Sequence, residues 1–140
     1  MHQLCEANGI RYFHFLQPNQ YLKDSKPMGQ EEKTIAVTEK HPYRAAVEKG
    51  YPLLMEKGKL LRSKGVRFHD LTRVFKNKPQ PMYVDDCCHV SKEANEYLGV
   101  VIGRQILEDL GGNLERIPGA EDRNHKPFPE SLLISSLQKS

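Results

Sequence analysis

The chain has 140 residues, with 21 Lys and Arg against 18 Asp and Glu, for a formal net charge of +3; 38% of residues are hydrophobic and 28% charged. That length suits one domain rather than two, and the balance excludes fibrous and strongly disordered classes. The cations are scattered along the chain, so no nucleic-acid footprint is expected. The longest membrane-like stretch, Leu98 to Gly103, falls far short of the ~20 apolar residues of a spanning helix, so no membrane segment is expected. Residues Met1 to Ala7 read as the end of a helix, stopped at Asn8-Gly9. Ile10 to Leu16 is a β-branched and aromatic run followed by Gln17-Pro18-Asn19, which predicts a buried strand ending in a turn. Tyr21 to Thr38 is polar, with a helical turn expected over Gln30 to Val37.

Pro42 to Lys64 is helical in composition. Gly50-Tyr51-Pro52 predicts a break, because proline suits the first turn of a helix and not its interior. The second helix, from Pro52, would then bury a stripe of Leu53, Leu54, Lys57, Leu60 and Leu61. Gly65 stops it, and Val66 to Leu71 alternates like a strand. Thr72 to Phe75 could open a helical turn. Ser91 is a good N-cap for a helix carrying Leu98, Val101, Ile102, Ile106 and Leu110, which Gly111-Gly112 ends. Residues 113–140 form a Pro/Gly-rich tail with no required fold, in which Ser131 to Leu137 is an apolar return that docks or stays mobile. The strand–helix–strand order favours a parallel sheet with helical cover, an α/β fold.

Cys5, Cys87 and Cys88 are the three cysteines. An odd count with two of them adjacent gives no disulfide framework. The densest reactive cluster is Asp85-Asp86-Cys87-Cys88-His89, just ahead of a helix. Asp86 and His89 stand at the first and fourth positions of a turn. There a carboxylate can reach the imidazole Nδ1–H and leave Nε2 to take a proton. A zinc reading of the same residues fits poorly, since structural sites separate their ligands and supply a second pair elsewhere. The acidic neighbours also disfavour a reactive thiolate at Cys87 or Cys88, which read instead as small packing residues. His14 reads as a core residue, and His41 and His69 as structural or exposed. Gln17 and Asn19 follow the carboxyl end of a strand, where open α/β sheets keep ligands, and are candidate crevice residues.

Four blocks in order extend this reading. They are the strand ending in Leu16-Gln17-Pro18-Asn19, then His41-Pro42-Tyr43-Arg44, then Gly65 to Thr72, then Tyr83 to His89 with a helix behind. Together they resemble the C-terminal half of SGNH/GDSL hydrolases, over roughly residues 1–110. The family's Asp-x-x-His falls on Asp86 and His89, and Asn95 and Leu98 sit where the following helix carries its Asn and an apolar core residue. The resemblance implies a flavodoxin-like three-layer α/β/α sandwich. It also implies a serine esterase or acyl hydrolase acting without a cofactor or metal on an ester-type small molecule or carbohydrate. His89 would be the general base and then acid, oriented by Asp86.

No block here matches the family's Gly-Asp-Ser nucleophile or its oxyanion glycine and asparagine. The one Asp-Ser pair, Asp24-Ser25, stands in a polar loop after the wrong strand. Residues 1–112 are therefore expected to be the C-terminal portion of such a domain, missing its N-terminal strands and catalytically silent alone. Apolar surface on Phe13, Phe15 and Phe68 would be left partly uncovered. The alternative is a non-catalytic α/β binding module. No motif speaks to compartment or oligomeric state.

Overall fold

The computed structural model describes residues 1–112, so the 113–140 tail and its Ser131 to Leu137 segment lie outside the described residues. Six elements follow in order: α1 (His2–Ala7), β1 (Phe13–Leu16), α2 (Gln30–Ala36), α3 (Arg44–Ser63), β2 (Arg67–Asp70) and α4 (Lys92–Asp109). The two strands pair in parallel, with Phe13 opposite Arg67 and Leu16 opposite Asp70. A parallel pair needs a long crossover, and α2 and α3 lie within it. The expected mixed α/β character is present, with a two-stranded parallel sheet among the described residues.

α3 departs from expectation. It runs unbroken through Pro52 for 20 residues, although an interior proline costs ~3 kcal/mol or more. Tertiary packing supplies the offset. Val47 and Tyr51 lie one helical turn apart and join Leu16, Tyr21, Leu22 and Phe68 in one core cluster, with Met55 against it. Both sides of Pro52 thus belong to one buried stripe, which a break would tear apart. The stripe is also not the one expected: Leu53, Leu54, Leu60 and Leu61 are exposed. Gly58, on the Val47–Tyr51 face, decides which side turns inward. A Cβ built there would stand 2.1 Å from the Phe68 ring, so only glycine admits such close approach of helix and strand. Phe68 is consequently buried rather than uncovered, while Phe13 and Phe15 are half-buried.

This contact gives a direct prediction. Gly58→Ala gains ~1 kcal/mol of helix propensity, yet overpacking a well-filled core costs typically about 1–3 kcal/mol, occasionally more. The expected net is a loss, seen as a lower urea midpoint. Phe68→Leu in the same chain should recover part of it, so the double variant is less destabilised than the sum of the singles. Additive losses would refute the close approach.

The helix stops fall where expected. Gly65 (φ +84°) follows α3, and its neighbour Val66 donates back to the Leu61 carbonyl at 3.1 Å. Gly111 (φ +70°) plays the same part after α4, and Ser91 caps the start of that helix by accepting from the Ala94 N–H at 3.2 Å. A second cluster, Ala36, Phe75, Met82, Tyr83 and Ala94, ties α2 to the segment that leads into α4. Between Leu71 and Lys78 the chain makes successive turns rather than a helix. No helix among the described residues is long and apolar enough to cross a membrane.

Candidate active site

Residues 84–89 form a loop pinched at its base. Tyr83 and Val90 pair in an antiparallel bridge, Val84 N–H donates to the His89 carbonyl at 3.1 Å, and Ser91 N–H donates to Met82 O at 2.8 Å. Inside the loop, Asp85 does most of the local bonding. Its Oδ1 accepts the backbone N–H of Cys87 at 2.8 Å and of His89 at 3.2 Å, and its Oδ2 lies 2.5 Å from His89 Nδ1. The hydrogen bond from His89, together with those two backbone donors, holds the Asp85 carboxyl below its ordinary range. An ionised Asp85 only accepts, so Nδ1 carries a proton, and in the neutral imidazole the lone pair is then on Nε2. A folded pKa held down makes this contact a stabilising one above the ordinary carboxylate range. The contribution disappears as pH falls through the lowered value. His89 is largely exposed, its side chain 70% accessible against 38% for Asp85.

The expected Asp86–His89 contact is not made in this conformation. Asp86 turns the other way, and its Oδ2 accepts from the Thr38 hydroxyl at 2.7 Å. Its carbonyl accepts from two phenols, Tyr21 at 3.0 Å and Tyr43 at 3.1 Å. Gln20 Nε2 donates to both Asp85 O and Ala36 O, at 3.1 and 3.2 Å, and Thr38 N–H closes on the Tyr21 hydroxyl at 3.2 Å. The turn is therefore anchored from three places: the loop after β1, the end of α2 and the start of α3. Because Gln20 and Tyr21 lie just past the carboxyl end of β1, the histidine stands where open α/β sheets keep ligands.

Tyr21→Phe and Tyr43→Phe each remove one donor to a half-buried carbonyl, and Tyr21→Phe also removes the acceptor of the Thr38 N–H. Tyr43→Phe should cost about 1 kcal/mol, Tyr21→Phe more, and the pair together more than the sum, because only the double variant leaves Asp86 O unpaired. Urea midpoints of the four chains measure this. Simple additivity would refute the shared role.

The two crevice candidates separate. Asn19 is buried, with its Oδ1 accepting the Tyr21 N–H at 3.0 Å, so it shapes the turn rather than facing a ligand. Gln17 is exposed. A groove of about 730 Å³ opens beside Gln20 and Tyr21, on the side of Lys33, Thr34 and Arg44. Of the other histidines, His69 is buried, 2.7 Å from Asp109 through Nε2 and stacked on Phe15. His14 is half-buried, stacked on Phe68 and hydrogen-bonded to the Tyr12 hydroxyl. His41 packs edge-on against Tyr43 with ring centroids 4.0 Å apart. Ser25 is buried in the wrong loop.

Among the described residues no three His, Cys, Asp or Glu side chains come together as a metal site. Sequence reasoning passed over Asp85 as the histidine's partner, and Thr38 as the holder of Asp86. Asp85 lies only one position further from His89 than Asp86 does, and the distant threonine separates their roles. Comparison with known family profiles, curated proteins and solved structures finds no match to this chain.

Proposed function

We propose that this chain carries the acid–base half of a serine ester hydrolase of the SGNH type, with His89 as its proton-transfer group. The observation that supports it most is the Asp85–His89 turn: a carboxylate on Nδ1, a free and exposed Nε2, and a position past the carboxyl end of β1. In that chemistry Nε2 takes the proton of a serine hydroxyl as it attacks the ester carbonyl. It returns the proton to the departing alcohol, while the carboxylate stabilises the imidazolium formed in between. β1 and β2 are read as two strands of a flavodoxin-like α/β/α sandwich, and the groove beside Gln20 and Tyr21 as room for the acyl or sugar part of the substrate. The substrate class is an ester-type small molecule or carbohydrate.

None of the described serines suits the nucleophile's part. Ser25 is buried, Ser63 bonds the Leu60 carbonyl and Ser91 caps α4. The sequence contains no Gly-Asp-Ser block, and in this reading the nucleophile and oxyanion donors are not among the described residues, so the 140-residue chain should leave 4-nitrophenyl acetate untouched. The test is to express the chain extended through its upstream reading frame. The extended protein should contain an in-frame Gly-Asp-Ser, hydrolyse the acetate, and lose that hydrolysis on His89→Ala. An extension without that block, or full activity in the His89→Ala protein, would overturn the reading. Hydrolysis by the short chain that depends on His89 would overturn the assignment of the nucleophile to another segment.

A further inference from the structure

The leucines that the core leaves outside form a surface of their own. Leu53, Leu54, Leu60 and Leu61 keep between 38% and 61% of their surface exposed. At 3.6 residues per turn they fall within one arc of α3 roughly 120° wide, beside the buried stripe of Val47, Tyr51 and Gly58. Lys57 stands in the middle of them, three or four positions from each leucine, so its stem runs among all four. Lys64 lies in the same arc, and both lysines are exposed. Neither ammonium is paired with a carboxylate among the described residues. The acids of α3, Glu48 and Glu56, fall outside the arc, and Glu48 is held by Arg44 at 2.8 Å. The apolar surface continues at the end of the helix. A groove of about 480 Å³ there has Leu61, Lys64 and Met1 on its walls, and Met1 and Leu4 of the α1 region are exposed. Glu6, also on that groove, faces His2 at 3.7 Å.

We propose that this face of α3 docks on the surface of an anionic lipid bilayer. The choice of occupant follows from the charge at its centre. Any protein surface that covered the four leucines would also enclose Lys57, and an ammonium buried without a partner is costly. A bilayer surface accepts both kinds of side chain at once. Leucines enter the boundary between headgroups and acyl chains, while the lysine stems lie along them and carry their ammonium groups up to the lipid phosphates. An arc with lysines and no carboxylate matches a negatively charged headgroup layer. The helix lies on the membrane rather than across it, since no helix among the described residues is long and apolar enough to span one.

The test is cosedimentation of the full chain with vesicles of phosphatidylcholine containing about one-third phosphatidylserine, against vesicles of phosphatidylcholine alone. Binding to the mixed vesicles should be at least tenfold tighter, and added salt should weaken it. Lys57→Gln with Lys64→Gln should weaken it about thirtyfold, the combined effect of two basic contacts to an anionic surface. Lys57→Arg, which keeps the charge, should bind like the parent. Leu53→Gln with Leu60→Gln should abolish binding and leave the urea midpoint near that of the parent, since both side chains are exposed. If the leucine pair alters the fold, the lysine pair and the salt dependence still decide. Absence of binding, equal binding to both vesicles, or binding that survives the lysine pair would overturn the proposal. So would a dimer, in sedimentation velocity without lipid, that the leucine pair dissolves, because the face would then belong to a second copy. The readout is lipid binding, so it stands apart from whether the chain takes part in hydrolysis.

Discussion

In the extended protein that the proposed reading requires, Asp85→Asn is expected to lower kcat about 10⁴-fold, the size of loss seen when a triad carboxylate becomes an amide. That factor corresponds to about 5.5 kcal/mol of transition-state stabilisation. The reason is the tautomer. Asp85 accepts from Nδ1 at 2.5 Å, whereas an amide at the same place can donate to Nδ1 and push the proton to Nε2, where it blocks general-base action. Asp86→Asn should change kcat less than tenfold, because the Asp86 carboxylate is engaged by the Thr38 hydroxyl and not by the imidazole. The opposite ranking would show that the active protein swings Asp86 onto His89, the pairing implied by the SGNH resemblance. A readout independent of turnover separates the two carboxylates in the 140-residue chain itself. The hydrogen-bonded imidazole N–H proton of His89 should persist in Asp86→Asn and vanish in Asp85→Asn.

That ambiguity shows how far the sequence could be read. Periodicity and turn chemistry located both strands, the Ser91 cap and the glycine stops, since each rests on residues adjacent along the chain. The reactive turn was legible for the same reason: its acid and base lie within five positions. Which carboxylate holds the histidine was not legible, because Thr38 decides it from 48 residues away in sequence. α3 failed for a related reason. Pro52 and the leucines beside it carry a strong local signal, but the buried face is selected by the fit of Gly58 against Phe68, a contact between two elements. Where local and tertiary preferences conflict, packing decides, and the four leucines are left in solvent.

The polar stretch after β1 hides a fully buried ion pair, and it carries the second large prediction. Lys26 and Glu32 are fully enclosed, with side-chain exposures of 0% and 1% and an Nζ–Oε2 distance of 2.6 Å. Lys26 also donates to Pro27 O at 2.8 Å, while the other Glu32 oxygen accepts the backbone N–H of Met82 at 2.7 Å and of Tyr83 at 3.0 Å. Glu32→Leu would strand a buried ammonium and two buried N–H donors at once. Breaking such a pair costs about 3–5 kcal/mol, and each orphaned donor adds roughly 1–3 kcal/mol. A domain holds only about 5–15 kcal/mol in all, so Glu32→Leu should leave the chain largely unfolded in the absence of denaturant. Lys26→Met with Glu32→Gln should restore most of the loss. The glutamine oxygen still accepts from Met82 and Tyr83, and no charge is left to desolvate. Urea unfolding followed by circular dichroism measures both. A Glu32→Leu midpoint within the range of a surface substitution would refute the buried clamp. Its consequence reaches the Asp85–His89 turn, because Met82 and Tyr83 are the residues from which the Tyr83–Val90 bridge and that loop spring. In the milder Glu32→Gln chain, which keeps an acceptor but loses the charge, the His89 N–H proton should exchange faster with water than in the parent.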